Sequence, residues 1–542
     1  MIQKLLFVCA ASLVLLSPAG GAKVAPFDGP RAAPPKLIVQ LVLDQLRADY
    51  PARYGAQWTA GLRRLMTEGA HFTNARYPFA GTATCPGHAS IGTGTVPAVH
   101  GMALNEWWDR QTRRRTPCTS DPDVTGMGFT KPVTSGYSAR WQMAQTFAER
   151  LRASQPAGAG RVVSLSLKAR SAIALAGHTG DAVVWMDPSG TFATSSAYGH
   201  PAWLAEYLKA NPIERAVAES WTRARPAPAY QGTDAGIGER PPSGWTPRFP
   251  HALSNGAVAD GTFYDRWQRS PLSDAYLGQM AIAAIDALGL GRSDGTDYLA
   301  VSFSALDLVG HKFGPRSHEV QDVLIRADET IGRLLDHLDA TVGRANYVLA
   351  LTSDHGVGEV PETPGVPGGR LPRGAVTTII EDTLDKTWGD GTYVDHELYT
   401  EVYLTAASLT RLMKEPATLA KLKTGIEALP SVLRVMSGAD MARERGSDDP
   451  MMRAVLLSYY PGRSGDLMLL LREHHTASTD AASHGTYYDY DRRVPVMLFG
   501  SPFKAGTYAV PVSPLDIPAT WSRLTGVALD RPHGRSLDAA VK

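Results

Sequence analysis

The sequence predicts an α/β fold: a central, mostly parallel sheet flanked by helices on both faces, with inserted cap segments. Three observations predict it. Short, nearly continuous apolar runs recur along the chain, and runs without polar alternation are strands buried on both faces. Stretches with helical apolar spacing lie between them, and a strand–helix–strand order places helices over both faces of one sheet. Polar residues able to do chemistry follow those runs from Asp44 to His484, which reads as one large domain with insertions.

The composition is that of a globular protein, with 44% hydrophobic and 20% charged residues. Lys plus Arg number 54 against 53 Asp plus Glu, so no overall basic field points to nucleic acid. The one basic run, Arg113–Arg115, is short and reads as a solvated loop.

Residues 1–22 carry the marks of a secretory signal. Lys4 precedes an apolar run from Leu5 to Leu16, and small residues lead to a cleavage point after Ala22. The run is short for a bilayer span, and no other segment reads as transmembrane. A periplasmic or secreted protein is expected. Cys85 and Cys118 remain after cleavage. An oxidising compartment permits a disulfide, and the sequence leaves open whether these two meet.

Residues 23–36, rich in proline and small residues, read as a linker to a domain spanning 37–542, with insertions near 154–273 and 361–473. Leu37–Leu43 is a buried strand, and Asp44 ends it. Ligands of open α/β sheets gather at the carboxyl ends of strands, although an Asp there also caps helices. Leu62, Leu65 and Met66 have helical spacing, with Gly69 as the stop. In the stretch from Thr82 to Ser90, Pro86 suits the first helical position. Thr84 then lies at a helix mouth, where free N–H groups and the dipole favour an anion. A threonine cap on an ordinary helix is the other reading. Asn105, beside Trp107 and Trp108, is either pocket-lining or a turn residue.

Val162–Leu167 suggests a strand. Lys168 and Arg170 beyond it would project to one side of an extended chain, or stand solvated. Ala224–Pro250 is rich in Pro and Gly, and reads as a loop-rich insertion rather than core. Alternation then returns. Asp274–Leu288 is a helix, and Tyr298–Phe303 a strand leading to Asp307 and His311. An apolar stripe from Val320 to Leu338 is a second helix, with Ser317 as its cap. Tyr347–Thr352 is a strand ending in Ser353-Asp354-His355-Gly356. Pro361–Arg373 is a Gly/Pro loop, and Leu467–Leu471 a strand. His484-Gly485 precedes the strand Val494–Phe499, which Pro495 would confine to an edge or a strand start.

Just beyond the strands stand Asp44, Asp307, His311, Asp354, His355 and His484. Asp307 and His311 are spaced i, i+4, so one helical turn aims both at one point. Carboxylate and imidazole donors suit zinc. These residues, with Thr84 in T-C-P-G-H, D-x-x-x-H at Asp307, S-D-H-G at Ser353 and H-G at His484, together resemble the alkaline phosphatase superfamily. The resemblance is nearest to the alkaline phosphatases that use threonine as nucleophile, and related motifs occur in nucleotide pyrophosphatases/phosphodiesterases.

That resemblance implies two zinc ions per chain. One is held by Asp307, His311 and His484, the other by Asp44, Asp354 and His355 with Thr84 facing it. It implies phosphate contacts from Asn105, Lys168 and Arg170. It also implies hydrolysis of small phosphate monoesters to alcohol and inorganic phosphate through a phosphothreonine intermediate. The alternative it leaves is a nucleotide pyrophosphatase/phosphodiesterase. A Lys-x-Arg pair favours the monoester, whose extra negative charge it would meet. Cys85 after the nucleophile is a local departure. No C/S-x-P-x-R motif stands there to suggest a sulfatase.

Overall fold

The computed structural model describes residues 33–256 and 258–542; the expected signal segment 1–22 and most of the linker lie outside them. All seven residues of the strand Leu37–Leu43 are buried. Leu37, Val39, Leu41 and Leu43 join one apolar core, and Ile38 and Val42 another on the opposite face, as the two-residue period of a strand requires. The strand pairs in parallel with Asp297–Phe303 on one side and Tyr347–Thr352 on the other. Val162–Ser166 and then Ala182–Met186 extend the parallel set beyond Asp297–Phe303. These five strands point the same way, so their carboxyl ends share one edge. Antiparallel strands and short additions complete a ten-stranded sheet.

Helices cover both faces. Gly61–Glu68, Pro271–Leu288 and His318–Thr341 pack on one core, and Thr84–Thr93, Phe147–Ala153, Ala169–Ala176 and Asp516–Thr525 on the other. His318–Thr341 starts where the Ser317 side chain accepts from the Val320 N–H. It buries Val320, Leu324, Ile331, Leu334 and Leu338, each worth roughly 1.5–3 kcal/mol of apolar transfer.

Four expectations are corrected. Arg493–Gly500 is an interior strand, antiparallel between Tyr347–Thr352 and Ala70–Arg76. Pro495 is tolerated there because the register breaks between Val494 and Val496, and a bulge leaves no ladder bond for its missing N–H. Val162–Ser166 and Ala182–Met186, inside the stretch expected as an insertion, belong to the central sheet. Ala224–Pro250 is loop-rich, yet Trp245 is buried in the main core, stacked on His251. Finally, Lys168 is the extended N-cap of the helix Ala169–Ala176 and Arg170 lies in its first turn, so the pair does not share the face of a strand.

The segment 394–471 forms a separate four-stranded antiparallel sheet from Val394–Leu398, Glu401–Leu404, Leu467–Leu471 and Val432–Ser437. Its own core includes Val402, Leu404, Ile380, Leu422 and Ile426. The hairpin pairing Leu398 with Glu401 turns at Tyr399 and Thr400, with Tyr399 at φ 55°.

Candidate active site

The carboxyl edge of the parallel strands collects the polar residues. Asp44 follows Leu37–Leu43, and its N–H donates to the Phe303 carbonyl (3.0 Å) of the next strand. Asp307 lies in the first turn of the helix Ala305–Phe313, and His311 one turn on, its Nε2 3.2 Å from Asp307 Oδ1. That helix starts where it does because the buried Asp274 carboxylate accepts from the Ser304 and Ala305 N–H groups, satisfying donors that a helix start leaves free. Asp354 and His355 leave the end of Tyr347–Thr352. His484 arrives on a loop and stacks on the His355 ring at 3.5 Å. The donors fall into two groups, each with its donor atoms within 4.8 Å of one another: Asp307, His311 and His484, and Asp44, Asp354 and His355.

The hydrogen bonding of these side chains fits metal cations. His311, His355 and His484 each place Nδ1 2.9 Å from a backbone carbonyl, of Ala482, Gly356 and Thr82 respectively. A carbonyl only accepts, so each Nδ1 carries the proton and each Nε2 keeps its lone pair for the site, as in metal-ligating histidines. Burial lowers His355 and His484, which favours the neutral ring. Asp44 Oδ1, Asp354 Oδ2 and His355 Nε2 are buried without a hydrogen-bond partner. They face one another, His355 Nε2 being 3.3 Å from Asp354 Oδ2 and 3.5 Å from Asp44 Oδ1. Three acceptors with no donor among them suit a cation. Burial, with Asp307 and Asp354 nearby, pushes Asp44 well above the usual carboxylate range. Burial acts the same way on Asp307, but Lys168 and His311 outweigh it and hold that carboxyl well below.

Lys168 Nζ lies between the groups, 2.5 Å from both Asp44 Oδ2 and Asp307 Oδ2. Arg170 stands apart from the carboxylates. Its Nε is buried without a partner, and it lines a cavity of about 340 Å³ with Asn105, Tyr137, Trp185 and Tyr399. No residue of the two donor groups lines that cavity.

The helix Thr84–Thr93 begins two residues earlier than Pro86 suggested. Ala83 is the N-cap, and the cap has no side-chain hydrogen bond. Thr84 therefore does not cap its own helix. Pro86 falls at the third helical position, where its missing N–H is still one of the unpaired set. The Cys85 N–H donates to Asn105 Oδ1 (2.8 Å), so Asn105 sits at the helix mouth with its amide nitrogen uncommitted to that bond. The segment Thr82–Gly87, leading into this first turn, touches both donor groups. The Thr82 carbonyl holds His484, while Gly87 rests on Asp354 so closely that a Cβ there would lie 2.3 Å from the Asp354 carbonyl oxygen.

Sequence reasoning gave no role to two neighbours of the site, His88 and Gln45. His88 donates Nδ1–H to the Thr84 carbonyl (2.9 Å), lies 3.2 Å from Asp354 Oδ2, and accepts at Nε2 from Ser302 Oγ (2.8 Å). Its place one turn after Thr84 was the available signal. Gln45, next to Asp44, reaches both groups. Cys85 and Cys118, left open above, form a disulfide.

Known proteins are similar to this chain over most of its length. Residues 38–492 match the family model described as type I phosphodiesterase / nucleotide pyrophosphatase. Alkaline phosphatase PafA of Elizabethkingia meningoseptica is 30% identical over 90% of this chain and 91% of its own length. Alkaline phosphatase PhoV of Synechococcus elongatus is 30% identical over 98% of each. The crystal structure of PafA superposes with a TM-score of 0.87 at 28% identity, covering 94% of this chain and all of PafA. A second PafA crystal structure carries replacements of a threonine, an asparagine, a lysine and an arginine together. These relatives support a phosphatase activity, and the chain belongs to the type I phosphodiesterase / nucleotide pyrophosphatase family of the alkaline phosphatase superfamily.

Proposed function

We propose that the chain is an exported, zinc-dependent alkaline phosphatase, a phosphoric monoester hydrolase acting through a phosphothreonine at Thr84. The observation that carries this reading is the pair of three-residue donor groups with the segment Thr82–Gly87, which holds Thr84, touching both. Asp307, His311 and His484 would hold one zinc ion, and Asp44, Asp354 and His355 the other, which Thr84 would face. Bound there, two zinc ions supply positive charge and Lewis acidity to the attacking and leaving oxygens of an in-line displacement.

The chain's own residues do the rest. Thr84 Oγ forms a bond to phosphorus as the ester P–O bond breaks, and the hydroxyl proton ends on the departing alcohol. Water then adds to phosphorus, the Thr84 Oγ–P bond breaks, and inorganic phosphate leaves with the hydroxyl restored. Asn105, whose Oδ1 is occupied by the Cys85 N–H, has its amide N–H groups to donate to a phosphate oxygen. Arg170, with its buried unpaired Nε, supplies a charge-assisted donor. Lys168 offsets the carboxylates and the incoming dianion. The crystallised PafA variant supports these roles. Its replaced threonine and asparagine, and its replaced lysine and arginine, are separated as Thr84 is from Asn105 and Lys168 from Arg170.

A second reading, phosphodiesterase or nucleotide pyrophosphatase, is favoured by the cavity beside Arg170, which has room for a second ester substituent. One assay separates the two. Purified protein is given p-nitrophenyl phosphate and bis-p-nitrophenyl phosphate, with and without chelator, alongside metal analysis. The expected result is two zinc ions per chain, strong preference for the monoester, and activity lost on chelation and restored by zinc. Full turnover by metal-free protein would end the mechanism, and preference for the diester would favour the second reading.

A further inference from the structure

Gln45 has an unusual backbone for its type. It is buried, and its φ is 72°, in the left-handed region that residues other than glycine rarely occupy. Such a conformation persists only where surrounding contacts hold it, and it marks a position whose side chain or backbone is needed there.

Those contacts run to both donor groups. The Gln45 N–H donates to Asp354 Oδ1 at 3.2 Å, where the His355 N–H also donates at 3.1 Å. That oxygen is thereby turned away and Asp354 Oδ2 is left as the free acceptor. The side-chain Nε2 donates to Asp307 Oδ1 at 2.6 Å, the oxygen that lies 3.2 Å from His311 Nε2 and 3.9 Å from His484 Nε2. The main chain of one residue thus fixes the carboxylate rotation in one group, and its side chain fixes that in the other. Both contacts are made from the left-handed turn immediately after Asp44. Helix Ala305–Phe313 makes room for it at Gly310, where a Cβ would lie 1.9 Å from Gln45 Oε1.

We infer that Gln45 is a positioning residue that orients carboxylates of both metal groups and couples their affinities for zinc. The inference rests on the two-zinc reading above. Outer partners of metal ligands commonly change affinity by on the order of 10- to 100-fold, and Gln45 serves two sites at once.

The test uses the whole chain and zinc competition with a chromophoric chelator, with thermal melting of the chelated protein in parallel. Gln45→Gly accepts the left-handed φ without strain, so the metal-free variant should melt no lower than the unaltered chain. Its zinc affinity should still fall on the order of 10- to 100-fold at the Asp307 site, which loses the side-chain amide, and less at the Asp354 site, whose backbone donor remains. Gly310→Ala should lower zinc affinity in the unaltered background, by displacing the Gln45 amide. It should lower affinity little further in the Gln45→Gly background, where that side chain is gone. Unchanged zinc affinity in Gln45→Gly would overturn the inference, as would an equal effect of Gly310→Ala in both backgrounds. A metal-free Gln45→Gly protein that melts lower than the unaltered chain would assign Gln45 to the fold instead. Failure of the unaltered protein to bind two zinc ions would reject the two-zinc reading itself, a result read before any variant is made.

Discussion

A threonine hydroxyl is a poor nucleophile at neutral pH and needs both an activating partner and freedom from other bonds. Thr84 has that freedom because Ala83 takes the N-cap position of its helix. Thr84→Ala should lose nearly all turnover while still binding zinc. Thr84→Ser should retain part of it, and acid quenching with substrate followed by peptide mapping should find phosphate on Thr84. Phosphate elsewhere would refute its role. Arg170→Ala should cost about 2–4 kcal/mol in the transition state, the scale of one lost preorganised donor. Monoester turnover should fall much further than diester turnover, because a diester offers less charge to a cation. Equal losses for both would remove Arg170 from specificity. Asp44, Asp307, Asp354 and His355 drew attention because each ends an apolar run or stands one turn from such an end, His311 because it is spaced i, i+4 from Asp307, and His484 because it stands in an H-G pair ahead of a strand. Gln45 was not, because nothing in its neighbourhood of the sequence announces a positive φ or contacts to Asp307 and Asp354, residues far along the chain. The roles of Lys168 and Arg170 were read on the wrong local structure. Two cations with one residue between them look alike on a strand and at a helix start, and only the cap at Lys168 separates the cases.

At the scale of elements, the helix Thr84–Thr93 is seated by closeness rather than by apolar bulk. Gly87 presses against the backbone of Asp354, and Gly92 places a would-be Cβ 2.5 Å from the Ala174 carbonyl oxygen of the neighbouring helix. Gly87→Ala should therefore push the helix mouth off Asp354. We expect a loss of roughly 1–3 kcal/mol, as for other overpacked positions, together with weakened zinc binding. Melting and metal analysis would check both, and a variant with unchanged melting and full zinc would show that the contact yields freely. Strands and long helices were readable here because their apolar periods are strong. Pro495 misled for a definite reason: proline excludes a ladder bond, but a register break inside a sheet removes the need for one. Trp245 misled because a segment without regular structure can still bury one large side chain in the core.

Across the whole molecule, the parallel sheet brings residues from Asp44 to His484 to one edge, and the Cys85–Cys118 disulfide ties that edge together. Cys85 adjoins Thr84, and the Cys118 N–H donates to the Asn105 carbonyl (2.9 Å). Asn105 is thus held through its side chain by one half of the bridge and through its backbone by the other. The bridged residues are 33 apart, a loop whose closure stabilises a fold by about 3–4 kcal/mol in the chain-entropy model. Replacing both cysteines by serine should lower the melting temperature. It should also reduce monoester turnover at temperatures where the variant remains folded, and reduce it much less in an Asn105→Ala background. Equal reduction in both backgrounds would make the bridge a staple of the fold alone. The same tether bears on when the enzyme comes to life. A chain made in a reducing compartment has its threonine and all six donors but lacks the bond that seats Asn105, so it should be a sluggish phosphatase until oxidised. Newly synthesised chains would then spare the phosphate esters of the cell that makes them, and full activity would begin only where thiols are no longer kept reduced.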